Sequence, residues 1–236
     1  MCVSIVSKQK FMKQPGKIIC LIAGFLIISQ IAFSQRSTRL SFSASPSVNW
    51  FSADIQGTES GSAALGIDYG VNADFFFDEE SKYAFATGIL INNTGGNIRY
   101  YNSVGDVQFA GQTFQSGTSF RYKLKYVEVP LAVKLRTSQF RRWSYWGQFG
   151  FSGLVNIQAK GESDDETLRK NNINEEINLF NLALNMGIGS HFDLGSNNAI
   201  TLGIIYKNGF LDVTSNDQFD DKTTLNSLVF KLGLVF

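Results

Sequence analysis

The side chains able to do chemistry fall at alternate positions. Asp68, Asn72 and Asp74 share one parity of "ALGIDYGVNADFFF" (64–77), and Glu128, Lys134 and Arg136 share one parity of "KYVEVPLAVKLR" (125–136). Gln148 and Asn156, then Asn181, Asn185 and His191, then Lys207, then Lys231 recur in the same way in four later stretches. Carboxylates and ammonium groups on one face of a sheet can line an ion or solute path. They can equally pair with one another and fill the space. Both signs occur and no ring of a single sign forms, which favours a packed network. A desolvated charge persists only when it is paired, so Glu128 is expected to meet a Lys or Arg from a neighbouring strand.

Nucleophilic chemistry has one candidate. His191 is the only histidine, and Ser190 stands beside it. A hydrolase or acyltransferase needs its base within hydrogen-bond reach of the nucleophile. Adjacent residues of a strand point to opposite faces, so this pair cannot cooperate and His191 reads as a structural lumen residue. No catalytic residue is assigned and no enzymatic activity is expected. The acidic stretches "ESDDE" (162–166) and "DQFDD" (217–221) lack the ordered ligand spacing of a calcium loop. They read as solvated loops, with divalent bridging to lipopolysaccharide as their other use. No metal site or cofactor is expected.

These side chains are carried by strands. After residue 34 the hydrophobic period is two. Eight runs show it: 39–51, 64–77, 83–91, 120–136, 143–157, 179–192, 199–210 and 225–236. The connections 78–82, 138–142 and 194–198 are short. The connections 54–63, 92–119, 160–178 and 211–223 are long, polar and rich in Gly, Asn and Asp. Short turns at one end and long loops at the other mark an up-and-down outer-membrane barrel. An even strand count then places both termini on the short-turn, periplasmic side. Asn92–Ser119 is long enough for a small hairpin of its own, built from "GNIRYYN" and "DVQFAG".

A soluble ligand-binding barrel also alternates, with its apolar face inward. Three features favour the membrane. The second face is rich in Gly, Asn and charge, which suits a small polar lumen. Phe75, Phe77, Tyr83, Phe85, Trp143, Tyr145, Phe192 and Phe236 gather at the short-turn end, as an interfacial aromatic girdle would. The chain also ends on an apolar-face phenylalanine in "LVFKLGLVF", as barrels inserted by the outer-membrane assembly machinery do. Trp50, Tyr100, Tyr101, Tyr122 and Tyr126 lie near the long-loop end, where they would anchor the barrel at the interface or bind a partner.

The N-terminus reads as an export signal. Lys8, Lys10, Lys13 and Lys17 precede the apolar run Ile18–Ile28, which is too short to span a bilayer as a helix. Cleavage is expected after Ser34, and Met12 offers a second start. The residues before Cys20 are Ile18 and Ile19, not the small residues of a lipoprotein signal. Removal of 1–34 takes away both cysteines, so no disulfide framework remains. It also takes four lysines and no acids, so the net charge falls from +1 to −3. That balance, without a basic stripe or stacking motif, argues against a nucleic-acid partner.

Pro130 is the awkward residue in this scheme. A closed barrel has no free edge on which to hide it, so it must interrupt a ladder bond. Tyr122, Leu124 and Tyr126 fall out of register with the apolar row that starts at Val127, which suggests a bulge just before the proline.

"YVEVPLAVKLR" (126–136) resembles the Glu-x-Pro strand of the PorT-like outer-membrane β-barrel family of Bacteroidota. "YWGQFGFSG" (145–153), "ALNMGIGSHFDL" (183–194) and "LGIIYKNGFLDV" (202–213) are similar to later strands of that family. The resemblance implies a small outer-membrane barrel, in a family whose founding member is tied to protease export by a type IX system. The sequence thus predicts a signal peptide at 1–34 and an eight-stranded antiparallel up-and-down transmembrane β-barrel at 35–236. Its expected lumen network is Asp68, Asp74, Glu128, Lys134, Arg136, Gln148, His191, Lys207 and Lys231. The expected partners are outer-membrane lipid and lipopolysaccharide, the barrel assembly machinery, and a secretion or surface-protein partner. A structural or interaction role leads, ahead of a narrow pore or secretion accessory and of a lipid-modifying enzyme.

Overall fold

The computed structural model describes residues 37–53, 58–100, 106–165, 167–196, 198–215 and 222–236. The expected signal segment, Tyr101, Glu166 and the acidic stretch 217–221 lie outside the described residues. Eight long strands carry the fold: β1 (Thr38–Ala53), β2 (Ala64–Phe76), β3 (Tyr83–Tyr100), β4 (Ser119–Arg136), β5 (Trp143–Ser163), β6 (Phe180–Gly195), β7 (Asn198–Gly209) and β8 (Thr223–Val235). Each pairs antiparallel with its sequence neighbours. The seam is closed by β8 against β1, with Ser41 opposite Val235. The structure is therefore an all-β, eight-stranded closed barrel.

Parity decides the two faces. In β4 every even residue from Phe120 to Lys134 is buried inward, while Val129, Leu131, Val133 and Leu135 are exposed. In β1 the inward row is Ser41, Ser43, Ser45, Ser47 and Asn49, and Leu40 and Phe42 face out. Apolar residues outside and polar residues inside are what hydrocarbon on one side and a narrow lumen on the other require. Phe77, Tyr83, Phe85, Trp143, Tyr145 and Phe236 are exposed at the short-turn end, and Phe77 stacks on Tyr83 at 6.1 Å between ring centroids. The Asp78 carboxylate holds the first short turn by accepting from the backbone N–H groups of Lys82 and Tyr83.

The strands are unequal. β3, β4 and β5 have 18, 18 and 21 residues, against 13, 12 and 13 for β2, β7 and β8. The surplus stands beyond the apolar belt at the long-loop end as a three-stranded extension. Its two edges are covered by short strands. Thr58–Ser60 pairs with β3, and Asn171–Asn172 pairs with β5. Covering edges in this way removes unpaired backbone groups that would otherwise recruit another chain.

β4 and its proline differ from expectation. β4 contains no parity switch: Tyr122, Leu124 and Tyr126 face inward like Glu128. The irregularity lies on β5, where Lys125 pairs with Gln158 but Tyr126 pairs with Asn156, leaving Ile157 extra. Pro130 sits without a bulge. The β3–β4 register runs from Thr87↔Leu131 directly to Leu90↔Glu128, skipping Gly88 and Ile89 opposite Pro130 and Val129 without a shift. The proline therefore interrupts the ladder to β3 and leaves the ladder to β5 paired, with Pro130 opposite Ser152.

The long connection after β3 also differs from expectation. "GNIRY" belongs to β3 itself, and the hairpin forms entirely beyond it, from Val107–Phe109 and Gln112–Phe114. Its turn places Ala110 and Gly111 both at positive φ, 51° and 74°, the geometry that matches the twist of a two-residue hairpin.

Candidate functional site

The membrane-level lumen is held by ion pairs that cross it. The Lys207 ammonium on β7 lies 2.5 Å from the Glu128 carboxylate on β4 and 2.8 Å from Asp68 on β2. Neither strand is a neighbour of β7, so the partner of Glu128 comes from across the barrel and not from the adjacent strand. Asn92 on β3 donates to the same Glu128 carboxylate oxygen. Nearer the turn end, Lys134 on β4 meets Asp74 on β2 at 2.6 Å, again skipping a strand.

The inward serines of β1 leave room for these long side chains. Asn72 donates to Ser43 at 2.9 Å, and Asn185 donates to Ser152 at 2.8 Å. Gln148 approaches Asn185 at 3.5 Å, and Asn181 turns back to accept from the backbone of Leu182. Lys231 makes no ion pair among the described residues. Its ammonium reaches Asn72 at 3.5 Å and lies 5.8 Å from the Trp146 ring, which also takes Lys134 at 5.1 Å. An indole face is a favourable neighbour for a desolvated ammonium. Trp146 lies flat against the wall because Gly189 and Gly203 stand beside it; a Cβ on either glycine would meet the ring.

His191 is buried and faces inward beside Trp146, 6.2 Å between ring centroids, whereas Ser190 is only half-buried on the lipid side. Arg136, half-buried near the turn-end mouth, donates to Ser144 at 3.0 Å. Among the described residues no group of three or more His, Cys, Asp or Glu side chains could hold a metal. Two small cavities flank the Lys207 pairs, of about 40 and 20 Å³. A cavity needs roughly 10–15 Å³ to hold one water, so these accommodate a few waters and no larger solute.

Toward the loop end the lumen changes character. The inward residues become Phe51, Ile98, Tyr100, Phe120, Tyr122, Leu124 and Tyr126, all buried in one apolar cluster. The hairpin beyond β3 folds over the barrel mouth and adds Phe109 and Phe114, whose rings lie 4.5 and 5.0 Å from Phe120. The segment after β5 adds Leu168, Ile173 and Ile177. The expected interfacial role for the loop-end tyrosines is thus corrected for Tyr100, Tyr122 and Tyr126, which are core residues. Trp50 does face outward and stacks on Tyr206 at 6.3 Å. This cluster leaves no distinct trace in the sequence, because its aromatics on β4 share a parity with Glu128 and Lys134.

Outside the extension the surface is basic. Arg121, Lys123 and Lys125 alternate with the buried aromatics of β4, and Lys160 and Lys170 lie beside them. Lys123 pairs with Glu162 at 2.7 Å. That hydrogen bond, reinforced by Lys170 and Arg121, holds the Glu162 carboxyl below its usual range. In "ESDDE", Asp165 accepts from Ser163 and from the backbone N–H of Thr167, a local turn and not a ligand cluster.

A family model described as an outer membrane protein beta-barrel domain matches residues 29–232. The chain belongs to that outer membrane β-barrel family. Its lipid-facing belt and its family together locate the protein in the outer membrane. No curated protein matches the sequence. Among solved structures this barrel is similar to Neisserial surface protein A, at 11% identity over 86% of this chain and 98% of that one, with a TM-score of 0.47. It is also similar to OprG of Pseudomonas aeruginosa (11% identity, 86% and 96% covered, TM-score 0.44) and to Ail of Yersinia pestis (14%, 85% and 99%, 0.41).

Proposed function

We propose that this outer-membrane barrel is a closed, non-conducting and non-enzymatic scaffold whose task is performed by its loop-end cap. One observation carries the reading: the lumen is obstructed twice in series, by the Lys207–Glu128–Asp68 knot and by the aromatic cluster beyond it. A solute would have to separate desolvated ion pairs and unpack buried rings, and both are costly. The lumen polar residues then serve to fill and lock the barrel, and the cap is presented outside the cell with the termini in the periplasm. Export by residues 1–34 and insertion by the barrel assembly machinery complete the reading. The Tyr126–Arg136 strand supports a place among the PorT-like barrels of Bacteroidota, with the transport role ranked second.

Liposome swelling tests the reading. Vesicles carrying the purified protein should swell in small sugars no faster than empty vesicles, and solute-dependent swelling above that level would overturn it.

A further inference from the structure

The basic surface of the extension forms an open groove of about 570 Å³, bounded by Lys123, Lys125, Lys160 and Lys170. Its lower lip is Leu65 and Ile67, which are 88% and 43% exposed. It therefore lies where the apolar belt ends, with hydrocarbon-facing residues below and ammonium groups above. Lys123 and Lys160 are direct cross-strand partners on the same outward face. Like charges placed this way repel, and of the four lysines Lys123 alone lies within ion-pair distance of a described carboxylate, that of Glu162, whose charge Lys170 also feels. None of Lys125, Lys160 and Lys170 makes an ion pair with a described residue. Among the described residues, the outward positions at the loop-end limit of the belt on β7, β8 and β1 carry no charge: Tyr206, Asn208, Trp50 and Ser52 are at least partly exposed and Asn226 is buried.

We propose that this groove seats the phosphate groups of a glycolipid of the outer leaflet, with its acyl chains running down past Leu65 and Ile67. This rests on the loop end facing the outer leaflet, as the proposed function has it. A phosphorylated headgroup fits the site in both charge and height. A shared anion would turn the repulsion between Lys123 and Lys160 into a chelate. Each basic residue near an anionic lipid surface is worth about fivefold in affinity.

The test is native mass spectrometry of the full chain released from bilayers doped with phosphorylated lipid A or with its dephosphorylated form. The wild type should retain the phosphorylated lipid, and K125Q/K160Q/K170Q should retain it on the order of a hundredfold less. The control K222Q, an exposed lysine elsewhere at the loop end, should match the wild type, and inorganic phosphate should not displace the lipid. Equal retention of the two lipids, or by the wild type and the triple variant, would overturn the proposal; displacement by phosphate would also overturn it, by showing an anion site indifferent to lipid. Labelling of G111C with a membrane-impermeant thiol reagent on intact cells reports orientation separately. Lipid discrimination without surface labelling would overturn the outer-leaflet assignment and the proposed orientation together. Labelling without lipid discrimination would overturn this inference alone.

Discussion

Tyr126 and Glu128 are neighbours on the inner face of β4, yet they belong to different solvents. Glu128 looks into a lumen of ion pairs, and the positions flanking it outside, Val127 and Val129, are apolar. Tyr126 looks into an aromatic core, and outside it Lys125 and Lys123 take the place of the apolar row. The strand never turns over. Beyond the belt it becomes an ordinary soluble strand, apolar within and charged without, while its membrane part has the reverse arrangement. The backbone supplies two faces, and the surroundings decide which face must be apolar.

Substitutions on the two sides of this boundary should differ in cost. Glu128→Ala leaves Lys207 desolvated with half its partners and should cost about 3–5 kcal/mol in reversible unfolding. Phe120→Ala should cost a similar amount through a cavity in the plug. A double-mutant cycle separates the two causes: Glu128 and Lys207 should couple strongly, and Phe120 and Lys207 should be additive. Next, Leu131→Lys puts a charge into the mid-belt and should cost about 2–4 kcal/mol in vesicles. Third, Gly203→Ala drives a methyl against Trp146 and should cost about 1–3 kcal/mol, with a changed near-ultraviolet circular dichroism signal from the displaced indole. Smallest, Lys125→Leu, on the same outward row as Leu131 but past the belt, should shift stability by no more than about 0.5 kcal/mol. Equal costs for Leu131→Lys and Lys125→Leu would place the belt boundary elsewhere.

Much of the barrel is legible in the sequence because period two survives any closure. The eight runs match the eight long strands, and Asp68, Asp74, Glu128, Lys134, His191, Lys207 and Lys231 are buried while Arg136 and Gln148 are half-buried. What periodicity cannot carry is which inward residues meet. Lys207 and Asp68 are 139 residues apart, and only barrel closure brings them together. The change of chemistry at Tyr126–Val127 reads as a register slip in one strand because a slip and a solvent boundary leave the same trace in a single sequence. The real slip, at Ile157, is hidden: Ile157 still fits the outward apolar row, and only Ala159 and Gly161, buried after it, reveal the changed phase. The cap is hidden for a related reason. Phe109 and Phe114 sit in a polar, Gly-rich loop whose composition gives no sign that it folds back over the mouth.

Single-channel recording of the purified protein in planar bilayers shows whether the lumen is shut. No steady open level should appear at either polarity, in low salt or high. A reproducible ohmic open state of the wild type would contradict a shut lumen.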